Sequence, residues 1–282
     1  MKIGIVGLGL IGGSLAKAIK KYTEHIVLAW DLSERVRANA TLLEAVDGFL
    51  PEGNPAECDL VIIALYPHTT IEYIMTHQSH FKKDCLVMDT AGVKQEICET
   101  IESIAVKNHF LFCGGHPMAG IERSGFTYSK ADLFKGASMI LTPYTNTDIA
   151  ILNDLSLFLK KIGFTRMQVS TPEEHDEMIA YTSQLAHVVS SAYVRSPLSS
   201  KFRGFSAGSF KDMTRVAKLN ESMWTELFLS NGEYLATEID DLACRLLEYS
   251  HAIRANDKET LMKILKEGKE IRMSIDHTNQ FE

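Results

Sequence analysis

The chain has 282 residues, 45% of them hydrophobic and 23% charged, with 29 Lys and Arg against 36 Asp and Glu. That length and apolar content supply a sizeable core in one large or two ordinary domains, and exclude a disordered chain or a small disulfide scaffold. The net charge of -7 argues against nucleic acid or an acidic membrane as the main partner, so any anionic ligand needs a local cationic cluster.

The N-terminus opens with Lys2 and an apolar run from Ile3 to Leu15 that imitates a signal peptide. Its five glycines, Gly4, Gly7, Gly9, Gly12 and Gly13, suit a strand and tight turn better than a helical signal segment. No stretch reaches the roughly eighteen uninterrupted apolar residues of a membrane span, so a soluble, cytoplasmic protein is expected. From residue 2 to about 168, short β-branched runs alternate with helical periodicity, the grammar of a parallel sheet wrapped by helices. The predicted strands are Lys2 to Val6, Ile26 to Trp30, Leu60 to Leu65, Leu86 to Asp89, Phe110 to Cys113, Ser138 to Leu141 and Thr165 to Val169. The predicted helices are Ile11 to Tyr22, Glu34 to Glu44, Thr69 to Gln78, Lys94 to Val106 and Thr147 to Ile162.

At Thr171-Pro172-Glu173-Glu174 the pattern changes: Thr171 can cap a helix, Pro172 suits its first position, and Glu174 completes a capping box. All seven prolines lie at or before Pro197, leaving the last third free to be helical. The spacing predicts one helix to about Arg195, a Ser/Gly-rich loop from Ser196 to Ser209, a short helix near Phe210 to Ala217, a long one from Glu221 to about Arg254, and a last one capped by Asp257. The expected domains are therefore 1–170, α/β and dinucleotide-binding, and 171–282, all-helical. Long helices in so small a domain commonly bury a partner, so a homodimer is expected. The five cysteines (Cys58, Cys85, Cys98, Cys113, Cys244) have no metal spacing and suit a reducing compartment. His77 and His80 share a helix face but lack a third ligand; they are expected to be exposed, and no metal is expected.

Gly7-Leu8-Gly9-Leu10-Ile11-Gly12 is a GxGxxG run placed directly between a strand and a helix. The first glycine permits the tight turn, the second the approach of a pyrophosphate, and the third close helix-strand packing. The helix N-terminus then offers N–H donors to phosphates. Asp31, nineteen residues after Gly12 at the end of the second strand, can accept from ribose hydroxyls and would repel a 2′-phosphate. NAD is therefore favoured over NADP, with Arg35 keeping NADP open. In Gly114-Gly115-His116-Pro117-Met118-Ala119-Gly120, proline holds His116 extended at a strand end that faces the ligand crevice. A histidine there suits general-base work near neutral pH, the bland alternative being a histidine in a rigid turn.

On the helix after Thr171, Asp176, Ala180, Ser183, His187, Ser190 and Ser191 share one side, while Met178, Tyr181, Leu185 and Val188 form an apolar stripe. His187 thus lies either in a ligand groove or in a close helix contact. Lys211, Arg215 and Lys218 make a basic stripe behind the Gly204 to Gly208 loop. That stripe is either a solvated face with an Asp212–Arg215 pair or a carboxylate site, for which arginine is the better reader.

Taken in order, the GxGxxG run with Asp31, Asp89-Thr90-Ala91-Gly92-Val93-Lys94, His116-Pro117-Met118-Ala119-Gly120, His175-Asp176, Thr182-Ser183-Gln184-Leu185-Ala186-His187, and Phe210-Lys211-Asp212-Met213-Thr214-Arg215 with Trp224 span nearly the whole chain. This series resembles the prephenate dehydrogenase family of tyrosine biosynthesis, with its arogenate and cyclohexadienyl relatives. The resemblance implies a Rossmann domain, a helical dimerisation domain, and NAD-dependent oxidative decarboxylation of prephenate to 4-hydroxyphenylpyruvate. It makes His116 the base, Arg215 the carboxylate clamp, Ser183, His187 and Trp224 pocket residues and Asp212 an orienting residue. Leu65 and Thr90 join the glycine run at the cofactor.

The chain departs from the family pattern in three places. Gly92 stands where many members have a serine that pairs with the catalytic histidine, so Thr90 or a water is expected to orient His116. Ser183-Gln184-Leu185-Ala186-His187 replaces Ser-His-Leu-Pro-His, and Ser209 replaces a frequent glycine. No fused chorismate mutase or regulatory domain is expected, so tyrosine, if it inhibits, is expected to compete in the active site. Glu122 and Arg123 are candidates for discriminating prephenate from arogenate. A β-hydroxyacid dehydrogenase-like enzyme would place a catalytic lysine on the helix from Glu173 to Arg195, which has none; a non-catalytic NAD-binding regulator would bind cofactor without turnover.

Overall fold

The computed structural model describes residues 1–121, 123–144, 147–205 and 208–279. Glu122, and Ser206 and Ala207 of the glycine-bearing loop, lie outside the described residues. The chain divides into two compact units, Met1–Gly232 and Glu233–Glu282. This division falls later than the change of grammar at residue 171, because the helices that follow Thr171 pack with the sheet-bearing part of the first unit.

In the first unit, β1 (Lys2–Val6), α1 (Leu10–Tyr22), β2 (Ile26–Trp30), α2 (Glu34–Leu42), β3 (Gly48–Phe49), β4 (Leu60–Ile63), α3 (Pro67–His77), β5 (Leu86–Asp89), α4 (Gln95–Asn108), β6 (Leu111–Pro117), β7 (Ser138–Pro143), α5 (Ile149–Lys161) and β8 (Arg166–Val169) form one sheet flanked by helices. The strand order is β3-β2-β1-β4-β5-β6-β7-β8. Both faces are covered, as a parallel sheet requires. Leu60 and Ile62 face one core with Leu15 and Ile19 of α1 and Leu159 of α5. Val61 and Ile63 face the other with Ile74 of α3 and Ile97 and Ile101 of α4. Strand order reverses between β1 and β4, which opens a crevice at their carboxyl ends.

One pair departs from the all-parallel expectation: β7 runs antiparallel to β6, with Gly115 opposite Leu141, His116 opposite Ile140 and Pro117 opposite Met139. Strand β6 therefore continues four residues past the predicted end at Cys113. Glycine is required in this extension, since a Cβ at Gly115 would lie 2.7 Å from the Asp89 carbonyl oxygen and one at Gly114 would overlap the Thr142 hydroxyl.

After β8 come α6 (Pro172–Ile179), a π-helical turn at Ala180–Gln184 and α7 (Leu185–Val194). Thr171 and Glu174 form the predicted capping box. The predicted apolar stripe is only partly the buried one: Met178 and Tyr181 are exposed and Leu185 is buried, together with His175, Asp176, Ile179, Ala180 and Gln184 from outside the stripe. α6 turns its Asp176 side inward, where that carboxylate accepts from Lys94 N and Gln95 N, and the wider π turn then brings Leu185 round to the buried side. Then follow α8 (Gly208–Thr214), a 3₁₀ turn at Arg215–Ala217 and α9 (Glu221–Ser230). The single long helix predicted from Glu221 is interrupted at Asn231. That residue is buried, and its Nδ2 donates to the Asp176 carbonyl and to Gln184 Oε1, each at 2.8 Å.

The second unit holds α10 (Gly232–Arg254) and α11 (Lys258–Asn279). Asp257 caps α11 by accepting from Thr260 N. Leu246, Leu247, Ile253, Met262, Leu265 and Ile271 on these helices are exposed. No helix among the described residues is long and apolar enough to cross a membrane.

Candidate active site

The crevice begins at the turn after β1. Gly7 has φ +88°, and a Cβ there would lie 2.5 Å from the Ala64 carbonyl oxygen; a Cβ at Gly12 would overlap the Gly7 oxygen. At Gly9, by contrast, a Cβ would meet nothing within 4 Å. This glycine faces open space at the N-terminus of α1, which has no side-chain cap, so the first N–H groups of a 13-residue helix point at the crevice. Asp31 Oδ2 accepts from Leu8 N and Oδ1 from Ser33 N, both at 2.9 Å, which holds the carboxylate against the glycine loop with acceptor capacity left over. The side chain of Leu8 is buried in the core. These residues fit a dinucleotide: an open backbone cradle, unpaired helix donors and a half-buried carboxylate at the end of β2.

Gly9, Leu10, Ile11, Leu65 and Thr90 line one end of a cleft of about 1180 Å³, and His116, Ser183, His187, Arg215 and Trp224 line the rest. Asp212 does not join them; it lies exposed on α8 and is absent from the cleft wall. Cationic Arg123, Arg215 and Lys218 face a single carboxylate, Glu221, among the lining residues. His187 and Trp224 stack at 3.9 Å between ring centroids, and His187 Nδ1 donates to the Val216 carbonyl at 3.2 Å. That bond ties α7 to the turn carrying Arg215. Gln184 lines the cleft as well, but its amide is engaged on both sides, donating to the Leu227 carbonyl and accepting from Asn231 Nδ2.

His116 sits on β6 at the cleft floor. Its Nδ1 is 2.9 Å from His175 Nε2, and His175 Nδ1 is 2.6 Å from Asp176 Oδ1. Nε2 of His116 lies on the side of Gly92, where a Cβ would be 4.0 Å from it and 3.3 Å from Leu227 Cδ2. Thr90 does not orient the ring as expected; its hydroxyl donates to the Ile63 carbonyl. Burial, with His175 and Lys94 nearby, holds the His116 pKa well below the ordinary histidine value. Burial also lowers that of His175, against the opposing effect of the hydrogen bond that His175 donates to Asp176. Both rings are therefore neutral at pH 7.

Asp176 does more than hold a ring. It accepts from Lys94 N at 2.8 Å and Gln95 N at 2.9 Å, capping α4 from a different helix where Lys94 itself supplies no cap. Beneath it, the fully buried Lys94 ammonium pairs with Asp89, and Asp89 Oδ2 also accepts from Ala91 N. His175, Asp176, Asn231 and the Lys94–Asp89 pair carry no assigned role in the sequence reading. The signal available for them was a His-Asp dipeptide one turn into a capped helix.

Among the described residues no group of three or more His, Cys, Asp or Glu side chains could hold a metal ion. His77, expected to be exposed, is half-buried and stacks on Tyr73 with ring centroids 4.4 Å apart. Four cysteines are buried and Cys244 is exposed.

Residues 15–167 match the nucleotide-binding domain of prephenate dehydrogenase and residues 171–267 its dimerization domain. The chain is 31% identical to cyclohexadienyl dehydrogenase of Zymomonas mobilis, over 97% of this chain and 95% of that protein. Among solved structures, prephenate dehydrogenase of Aquifex aeolicus, crystallised with hydroxyphenyl propionate and NAD+, has a TM-score of 0.87 at 30% identity, covering 98% of both chains. Synechocystis arogenate dehydrogenase has a TM-score of 0.83 at 25% identity, covering 98% of this chain and 100% of that one. With its sheet, its helices and its motifs matched over nearly the whole length, the chain belongs to the prephenate dehydrogenase family of oxidoreductases.

Proposed function

We propose that the protein catalyses the NAD-dependent oxidative decarboxylation of prephenate to 4-hydroxyphenylpyruvate. The observation that carries this reading is one cleft lined by an uncapped helix N-terminus, a neutral histidine and Arg215. Gly7 to Gly12, Asp31, Leu65 and Thr90 would hold the cofactor; when bound, NAD+ supplies the acceptor for the hydride lost from C4 of the substrate. His116 Nε2 accepts the proton of the C4 hydroxyl as that hydride departs. The resulting dienone loses its ring carboxylate as CO2, and the electrons of the broken C–C bond complete an aromatic ring. The phenolate oxygen so formed recovers the proton from His116, which returns neutral. Aromatisation drives the sequence, so the protein must position, hold a proton and clamp a carboxylate.

Arg215 is the clamp, through the paired N–H geometry that lysine lacks. Ser183, His187 and Trp224 complete the pocket wall, and Asp212 would act at a distance by orienting the segment of Arg215. Arginines and lysine outnumber Glu221 in the cleft, which supports the substrate of two net negative charges over the aminated analogue, whose ammonium cancels one of them. Arogenate is the second reading, supported by the likeness to the Synechocystis enzyme. A functional division at 170/171, with 1–170 for the cofactor and 171–282 for substrate and dimerisation, is supported by the two family matches at 15–167 and 171–267. Exposed apolar side chains on α10 and α11 support a homodimer, and a monomer by light scattering at micromolar concentration would contradict it. A reducing, cytoplasmic setting suits five free thiols. Tyrosine, if inhibitory, would compete with substrate at Arg215.

The test is reduced-cofactor absorbance with the purified full chain, NAD+ or NADP+, and prephenate or arogenate. Prephenate-dependent NADH formation is expected, and His116→Asn should lower kcat by about 100-fold or more, the scale of a general base. Turnover of neither substrate, or an unchanged kcat in His116→Asn, overturns the reading.

A further inference from the structure

The chain lacks the hydroxyl that the family pattern places at residue 92, yet the base needs a partner to fix its tautomer. Among the described residues, the ring of His116 is held by its 2.9 Å contact from Nδ1 to His175 Nε2. His175 is buried at the end of a short relay, its own Nδ1 2.6 Å from Asp176 Oδ1. A carboxylate oxygen only accepts, so the hydrogen between Asp176 and His175 belongs to His175 Nδ1. A neutral ring carries one N–H, which leaves His175 Nε2 as an acceptor. The hydrogen between the two rings must then belong to His116 Nδ1, and His116 Nε2 is left with its lone pair toward the cleft.

The geometry points to His175, fixed by Asp176, as the positioning residue that sets the tautomer and aim of His116. This role rests on the reading of His116 as the base, but the tautomer it sets is measurable without turnover. His175 touches neither substrate nor cofactor space, since it is absent from the cleft wall. The relay is itself anchored: Asp176 is fixed by Lys94 N and Gln95 N, and its carbonyl accepts from Asn231. The opposite side of Gly92 is closed by Leu227, which takes up the space a longer side chain at residue 92 would enter. Orientation is thus supplied from behind the ring, where the family pattern supplies it from the cleft side.

The test uses the full chain labelled with ¹⁵N-histidine and loaded with NAD+. Imidazole nitrogen shifts at pH 7.5 should assign His116 as the Nδ1–H tautomer, which is the minority form of free histidine, and His175 likewise as Nδ1–H. In His175→Leu the His116 ring should revert to the Nε2–H form, with kcat down about 10–100-fold, the scale for removing a group that orients a functional histidine. His175→Gln places an amide oxygen near the former Nε2 and should restore the Nδ1–H form and most of the rate; it also keeps the question open to test if the leucine variant does not fold. An Nε2–H tautomer in the parent protein, or an unchanged tautomer in His175→Leu, overturns the proposal. An unchanged kcat in His116→Asn with the expected tautomers would instead overturn the base assignment and leave the relay standing.

Discussion

Asp176→Asn is the substitution that most directly probes how the site is built. Three donors converge on two carboxylate oxygens: Lys94 N and His175 Nδ1 on Oδ1, and Gln95 N on Oδ2. Asparagine keeps one acceptor, so its best orientation satisfies Lys94 N and His175 and turns an NH2 group toward the N–H of Gln95. One backbone donor left facing another donor costs about 1–3 kcal/mol. Loss of negative charge at the N-terminus of α4 adds about 0.3–1 kcal/mol. The expected destabilisation is about 1–4 kcal/mol, which for a chain of this size lowers Tm by roughly 3–15 °C. Thermal and urea unfolding of the purified protein would measure it, with Thr171→Ala, which removes only the cap of α6, as a reference expected to cost about 1 kcal/mol. An Asp176→Asn protein that melts within about a degree of the parent would refute the claim that one side chain caps α4 and holds the relay.

Four further outcomes follow. Because His116 and His175 are depressed in the folded protein, the unfolded chain binds more protons below pH about 6.5. Their contribution is complete above that pH and is lost as pH falls toward the folded values, by up to about 1.4 kcal/mol per pH unit for each ring. Tm should therefore drop between pH 7 and 5 more steeply in the parent than in a His116→Asn/His175→Gln double variant; equal slopes would contradict it. The acid limb of kcat/KM should lie below pH 6.5, where protonation removes the base, and a limb above that value would show that another group controls it. Arg215→Ala should raise substrate KM by about 10–100-fold, the equivalent of one charge-assisted hydrogen bond, with kcat little changed; the reverse pattern would remove it from the clamp. Asp31→Asn should lower kcat/KM for NAD+ and narrow its margin over NADP+, and an unaltered ratio would show that Asp31 does not read the ribose.

The parts of the molecule legible in the sequence are those whose cause is local. Gly7 and Gly12 are demanded by φ and by backbone contact within one strand-turn-helix unit, and Thr171 with Glu174 declares its helix within four residues. The parts that were not legible depend on distant juxtaposition or on small departures from regular spacing. His116 and His175 are 59 residues apart in the chain, and no pattern announces that a strand end and a helix start will meet. α6 buries polar Asp176 because it caps α4, and the π turn at Ala180–Gln184 rotates α7 away from its reading at 3.6-residue spacing. Asn231 looked like one polar residue in a long periodic helix, yet it breaks that helix in order to reach Asp176 and Gln184. Asp212, assigned by motif adjacency to Arg215, is exposed on α8 and outside the cleft wall; α8 ends at Thr214 and Arg215 opens a 3₁₀ turn, so the i,i+3 relation of one continuous helix does not carry across.

The antiparallel pairing of β6 with β7 has a consequence for how such a site can change. His116 is carried by a laddered strand rather than a loop, with Ile140 opposite it, while Met118 to Ile121 and Arg123 to Gly125, in the connection between the two strands, line the cleft. On the proposed assignment of His116 as the base, aim would be mounted on the sheet and contact with the substrate on the connecting segment. The connecting segment can be lengthened, shortened or recharged to suit a different ring substituent while the sheet keeps the base where it is, so substrate range in this chain can drift by loop replacement without rebuilding the chemistry.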